Sequence, residues 1–191
     1  MLAKFLSKAI SSKCLLVRGY ASKPYTTQEL VDVSNRYLLG VYKKPNIILH
    51  KGMGALVEDL DGNSYLDLTA GIAVTSLGHG NTDIAVALME QAQKVISTSN
   101  LFHNENAGPL AEKLVNSTAY PGNPNEPWAY QAFFTNSGAE ANEAALKFAR
   151  KTGFQSGQDN KYGITAFQNA FHGRTLGALS VTPKKGLPRG V

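Results

Sequence analysis

The sequence predicts an α/β chain, with a small antiparallel β piece first and the beginning of a larger, mostly parallel sheet after it. Three observations carry this. Residues 47–68 hold two alternating apolar runs, "ALVEDL" and "SYLDL", around Asp61-Gly62-Asn63, a strong hairpin signal. From Tyr130 onward, strand-like and helix-like stretches alternate: a strand at 130–135, a helix at 138–151, a strand near 163–167 and a short one in "ALSVT". Such alternation implies right-handed crossovers and parallel strands. A Gly-rich joint, "AGIAVTSLGHGN", separates the two styles, so two subdomains are expected, at 25–80 and 81–191.

The remaining elements follow in chain order. "TTQELVDVSNRYLLGVY" predicts a helix capped by Thr26 or Thr27 and ended by Gly40. "TDIAVALMEQAQKVIS" sets Ile84, Leu88, Val95 and Ile96 on one helical stripe, with Thr82 as the cap. "NAGPLAEKLVNSTAY" predicts a shorter helix with Leu110, Leu114 and Val115 inward. "PGNPNEPW" reads as a loop.

The formal net charge is +5, yet its distribution argues against a nucleic-acid surface. Lys4, Lys8, Lys13, Arg18 and Lys23 precede the first acid, Glu29, and the other 14 basic residues match the 14 acidic ones. The basicity therefore belongs to the N-terminus. There, Leu2, Phe5, Leu6, Ala9 and Ile10 fall on one helical face, with Lys and Ser elsewhere. A basic, acid-free, amphipathic leader is the composition of a mitochondrial transit peptide, expected over residues 1–20, with the matrix as destination. An ordinary surface helix is the competing explanation. Cys14, the only cysteine, lies in that segment. Removal of the leader would leave no thiol for disulfides, nucleophilic chemistry or a Cys-based zinc site, and no other metal ligand set is read. No run approaches the ~18 apolar residues of a membrane span.

The chemistry concentrates in two places. "TNSGAEAN" at 135–142 turns from a strand straight into a helix. Ser137 and Glu140 fit a capping box, so the helix could satisfy itself. The same free N–H groups, at Gly138 and Ala139, with the Ser137 hydroxyl as a further donor, also suit a phosphate, since Gly138 brings no Cβ and a helix N-terminus is partly positive. Neither nucleotide-binding glycine motif is present, so a small phosphorylated cofactor fits better than a nucleotide. "AFHGRT" at 170–175 then places an aromatic, an imidazole and a guanidinium at the end of the next strand. Singly, Phe171, His172 and Arg174 each have an ordinary structural explanation. Together they offer a stacking face and a carboxylate clamp where open α/β sheets bind ligands. Glu143 and Lys147, four residues apart, read as a pair on the exposed helix face.

"NSGAEANEAALKFARK" and "AFHGRT" resemble signature segments of the class III, fold-type I aminotransferases, which use pyridoxal 5′-phosphate (PLP). "LTAGIAVTSLGHGN" is similar to the acetylornithine branch of that family, and the resemblance runs from about residue 40 to about 182. It implies an incomplete fold-type I architecture: a small N-terminal β-containing subdomain and the first part of the large cofactor domain. It implies phosphate contacts at Ser137, Gly138 and Ala139, ring stacking on Phe171 beside His172, and a grip on the substrate carboxylate by Arg174. It further implies amino transfer between N-acetylornithine and 2-oxoglutarate, giving N-acetylglutamate 5-semialdehyde and glutamate, in a homodimer. Ornithine or 4-aminobutyrate as donor is the alternative, as is a non-catalytic truncated chain. The family's cofactor-anchoring lysine and its acid opposite the pyridine nitrogen lie later in a longer chain. No lysine here has the matching context, so no catalytic residue is expected in this chain, and 191 residues alone are expected to be inactive. "GHGN" lacks the proline common in that loop.

Overall fold

The computed structural model describes residues 25–120, 123–158 and 160–183. The leader expected at 1–20 and the "KKGLPRGV" tail lie outside them. The chain divides into two compact units between Ser97 and Thr98.

The first unit opens with α1 (Thr27–Tyr37), fixed by a complete capping box. The Thr26 hydroxyl accepts from the Glu29 N–H at 3.2 Å, and the Glu29 carboxylate accepts from the Thr26 N–H at 2.9 Å. The helix stops at Tyr37, short of Gly40, because Leu38 is already extended. Strands β1 (Leu49–Met53), β2 (Leu56–Asp59) and β3 (Ser64–Leu66) form an antiparallel sheet in that order, as the hairpin signal predicts. Its tight end is organised by the buried Asp59. That carboxylate accepts from the N–H groups of Asp61 and Asn63, the Asn63 amide and the Tyr65 hydroxyl, at 2.7–3.0 Å. Thr27 ties α1 to the same hairpin through Asp61, at 2.7 Å.

The Gly-rich joint contains a feature its composition does not announce. Ala70, Gly71, Ile72 and Ala73 all have positive φ, between 45° and 64°, forming one left-handed turn. Asp67 holds its entry, accepting from Thr69 N–H (2.9 Å), Thr69 hydroxyl (2.6 Å) and Ala70 N–H (3.0 Å). Its other oxygen meets His79 Nε2 at 2.7 Å. His79 in turn pairs by backbone with Gly54, tying the joint to the β1–β2 hairpin. A Cβ at Gly52 would sit 2.7 Å from the His79 Cβ, so the glycine is what lets the two approach. Helix α2 (Thr82–Lys94) follows, capped by Asn81 rather than Thr82: Asn81 Oδ1 accepts from Ile84 N–H at 3.0 Å. Val95 and Ile96 lie past its end.

The second unit contains α3 (Ala107–Asn116), β4 (Ala119–Tyr120), β5 (Asn123–Pro127), α4 (Gly138–Gln155) and α5 (Leu176–Ser180). Four differences from expectation stand out. The stretch read as a Pro/Asn loop supplies β5, which pairs antiparallel with β4 just before it. Residues 130–135 and 163–167 are not strands, because a strand exists through its neighbours and neither segment finds a ladder partner among the described residues. "ALSVT" is not a strand either. Thr175 caps a short helix there, its hydroxyl accepting from Ala178 N–H at 3.4 Å. Finally, the expected inward faces are open: Leu110 and Leu114 remain exposed, and most of the α4 stripe of Ala141, Ala144, Ala145, Phe148 and Ala149 is exposed as well. Phe148 meets Phe133 edge-on at 5.5 Å. Val31, Val57 and Ala178 are the buried hydrophobic residues among those described. No helix among them is long and apolar enough to cross a membrane.

Candidate functional site

Helix α4 starts where the sequence places it. Ser137 is its N-cap, accepting from Glu140 N–H at 3.2 Å, and Glu140 folds back as a capping box would have it. The carboxylate, however, takes the Asn136 N–H at 2.7 Å, one residue before the N-cap. Gly138 and Ala139, at the first two helical positions, have N–H groups with no intrahelical partner. No protein acceptor is assigned to them among the described residues. A Cβ added at Gly138 would meet nothing within 4 Å, so the space above this end is open.

The second motif is brought to this helix by the close approach of Gly173 to Ala139. Gly173 has φ 129°, and a Cβ on it would lie 2.6 Å from Ala139 Cβ and 2.9 Å from Ala139 Cα. Glycine is the one residue that meets both the dihedral and the distance. Phe171, His172 and Arg174 therefore flank a point in direct contact with the first turn of α4. Phe171 is 66% exposed. The Arg174 guanidinium stands 5.6 Å from its ring centroid, within cation–π range. His172 is half-buried and held by its backbone: its carbonyl accepts from Asn142 Nδ2 at 2.6 Å, and its N–H donates to the Thr182 hydroxyl at 3.1 Å. Behind the motif lies a hollow of about 250 Å3 bordered by Asn142, Leu146, Ile164, Ala166, His172 and Val181.

Glu143 departs from its expected role. Its carboxylate turns to the start of α5, accepting from Gly177 N–H at 2.8 Å. The Thr175 hydroxyl, followed by the Gly177 N–H, holds this carboxyl below its ordinary range, outweighing burial. The nearby Lys147 charge contributes least. The structure thus brings all six expected site residues into one neighbourhood. It adds three that sequence reasoning missed: Asn142, Glu143 and Thr182. Their partners are 30, 34 and 10 residues away, and no local spacing signals such contacts.

As a fit for an anion, the site offers two unpartnered N–H groups, a hydroxyl that can still donate its proton, an open approach and a nearby guanidinium. The geometry suits one phosphate group at the helix end and one planar partner against Phe171.

Residues 40–190 match the family described as "Aminotransferase class-III", so the likeness continues past residue 182 into the tail. The mitochondrial acetylornithine aminotransferase of Debaryomyces hansenii is 47% identical over 161 residues, covering 84% of this chain and 34% of that protein. That of Yarrowia lipolytica is 49% identical over 161 residues, covering 84% and 38%. Among solved structures, the N-acetylornithine aminotransferase of Stenotrophomonas maltophilia matches with TM-score 0.64 and 39% identity, over 75% of this chain and 36% of that one. The ornithine aminotransferase of Toxoplasma gondii matches with TM-score 0.71 and 30% identity, over 83% and 36%. The chain spans about a third of the length of the curated relatives it matches. With a family match across residues 40–190 and the fold-type I architecture of those structures, the chain belongs to the class III aminotransferases.

Proposed function

We propose that this chain supplies the phosphate and ring contacts of a PLP site in a mitochondrial enzyme that transfers an amino group from N-acetylornithine to 2-oxoglutarate. The observation that carries the reading is the seating of Gly173 on Ala139, which sets an aromatic face and a guanidinium beside an open helix N-terminus. The relatives supply the substrate: several at 45–49% identity are named acetylornithine aminotransferases. On this reading residues 25–80 belong to the small subdomain, residues 81–191 begin the cofactor domain, and the working assembly is a homodimer.

Each residue then has a defined task. The Gly138 and Ala139 N–H groups donate to phosphate oxygens, where the helix dipole favours negative charge. Ser137 donates its hydroxyl proton to the same group while still accepting from Glu140 N–H. Glu140, drawn onto Asn136, leaves those donors uncovered. Phe171 offers one ring face for stacking, worth ~0.5–1.5 kcal/mol beyond area burial, with His172 beside it. Arg174 grips the substrate carboxylate with its two-pronged donor set. Bound at this position, PLP supplies the electron sink for amino-group chemistry. The family's anchoring lysine is assigned to no residue of this chain.

A second reading, transfer from ornithine or another ω-amino acid, is favoured by the Toxoplasma gondii match and by a Pseudomonas jessenii ω-transaminase at TM-score 0.74. Donor competition in a chain carrying the complete family domain separates the two: preference for N-acetylornithine supports the first. For the site itself, the test is titration of the purified chain with PLP, followed by absorbance. Saturable binding is expected, and Gly138→Asp abolishes it while leaving α4 helical. The new side chain has room, and an acid suits the first turn, but its charge occupies the phosphate position. Unchanged binding in that variant overturns the assignment. The matrix location rests on the basic leader and the relatives' mitochondrial names. A reporter fused to residues 1–25 that stays cytosolic refutes it.

A further inference from the structure

The segment that carries Phe171 and Arg174 is fastened to α4 at both ends by consecutive side chains. Asn142 Nδ2 donates to the His172 carbonyl at 2.6 Å, on the near side of Arg174. Glu143 Oε1 accepts from Gly177 N–H at 2.8 Å, on the far side. The seating is close: any Cβ on Gly177 would collide with the Glu143 carboxylate. Between the two ties, Gly173 rests on Ala139 and admits no larger residue. From behind, the buried Thr182 accepts from His172 N–H at 3.1 Å and donates to the Ala178 carbonyl at 2.8 Å. The segment from 172 to 177 is thus bridged to one helix at its start, middle and end.

We propose that Glu143, working with Asn142, is a positioning residue that fixes Phe171 and Arg174 relative to the anion-binding end of α4. The inference rests on the PLP reading for what is positioned. It does not rest on that reading for the brace itself. Side-chain chemistry explains the choice of residue. Aspartate is one methylene shorter and would not reach Gly177 from the same helix position. A carboxylate close to an anion site would ordinarily repel the anion. Here its charge is absorbed by the Thr175 hydroxyl and by the partly positive N-terminal N–H groups of the segment it holds. The brace is therefore compatible with a phosphate bound at the start of the same helix.

The consequence is a separation between two kinds of ligand. Inorganic phosphate needs only the Gly138 and Ala139 donors. PLP needs those donors and a correctly placed Phe171. In the purified chain, Glu143→Ala is expected to weaken PLP binding about tenfold, the size of one lost hydrogen bond to a charged group, with inorganic phosphate affinity unchanged. Glu143→Gln keeps an acceptor for Gly177 and should recover most of the PLP affinity. Amide hydrogen exchange at Gly177 supplies a readout independent of any ligand: it should rise about tenfold in the alanine variant and little in the glutamine one. Equal loss of phosphate and PLP would mean a folding defect and overturn the proposal, as would unchanged Gly177 exchange. If the unmutated chain binds no PLP, the functional reading fails, and the exchange measurement still decides the brace.

Discussion

At the scale of single residues, Gly173 is the position on which the site turns. Its φ of 129° excludes ordinary side chains, and its Cα faces Ala139 at a distance that leaves no room for a methyl group. Gly173→Ala must either push the 171–174 segment off α4 or rotate its backbone, at a cost of ~1–3 kcal/mol. The expected result is loss of exchange protection across 172–177 and weaker PLP binding, with the hairpin of the first unit unaffected. Retention of both would show that the approach is adjustable. Ser137, Gly138 and Ala139 are legible from sequence because a cap, a glycine and a helix start occupy adjacent positions. Asn142 and Glu143 are not. They sit on the same helix, but their meaning lies in backbone groups some thirty residues away, and a local pattern assigns Glu143 to Lys147 instead.

At the scale of elements, carboxylates at turns do much of the local organisation. Asp59 closes the hairpin and Asp67 governs the left-handed turn. The Thr69 hydroxyl and then His79 hold the Asp67 carboxyl far below its ordinary value of 3.8. The sign follows from that depression: the native state binds the proton less readily than the unfolded one. The contribution is complete above pH 3.8 and is lost as the pH falls through the much lower folded value. The turn should therefore stay protected at pH 4 and open only in stronger acid, as read by exchange at Thr69 and Ala70. Asp67→Asn should show open-turn exchange already at neutral pH. Opening of the unmutated turn near pH 4 would contradict the account. Elements defined by short-range chemistry were readable in the sequence: the start of α1 from a threonine cap at 26 or 27, the hairpin from Asp61-Gly62-Asn63. Those defined by distant neighbours were not. Residues 130–135 and 163–167 have strand composition but no paired neighbour among the described residues, and the Thr175 cap starts a short helix that takes in the first three residues of "ALSVT" and stops before its β-branched Val181 and Thr182.

At the scale of the whole molecule, the described residues bury few hydrophobic side chains. Trp128, Tyr130, Phe133, Phe154 and Phe167 all remain exposed. Exposed apolar surface on this scale marks faces that other polypeptide covers, or that aggregate. The 191-residue chain by itself should bind a hydrophobic dye strongly and show low solubility. It should also show no amino transfer with PLP, N-acetylornithine and 2-oxoglutarate supplied, since the anchoring lysine is assigned to none of its residues. A borohydride-trapped PLP adduct on a single lysine, together with turnover, would overturn this. The fold class was readable when several strands were not because it rested on the motifs at 135–142 and 170–175, and both lie within the family match over residues 40–190 of a chain spanning about a third of its relatives' length.

The turn at Ala70–Ala73 has a stereochemical consequence. Four successive residues there occupy the mirror image of the usual helical region, and three of them have a side chain. Each such L-residue costs ~1–2 kcal/mol relative to the right-handed form. For the opposite enantiomer the preference reverses, and this conformation becomes the favoured one. A semisynthetic chain with D-alanine at position 73 should therefore hold the turn more firmly than the natural L-alanine. The same inversion at Val74, where the backbone returns to the right-handed region, should loosen it. Within a few residues, the chain passes from a place where biological chirality is a burden to one where it is required.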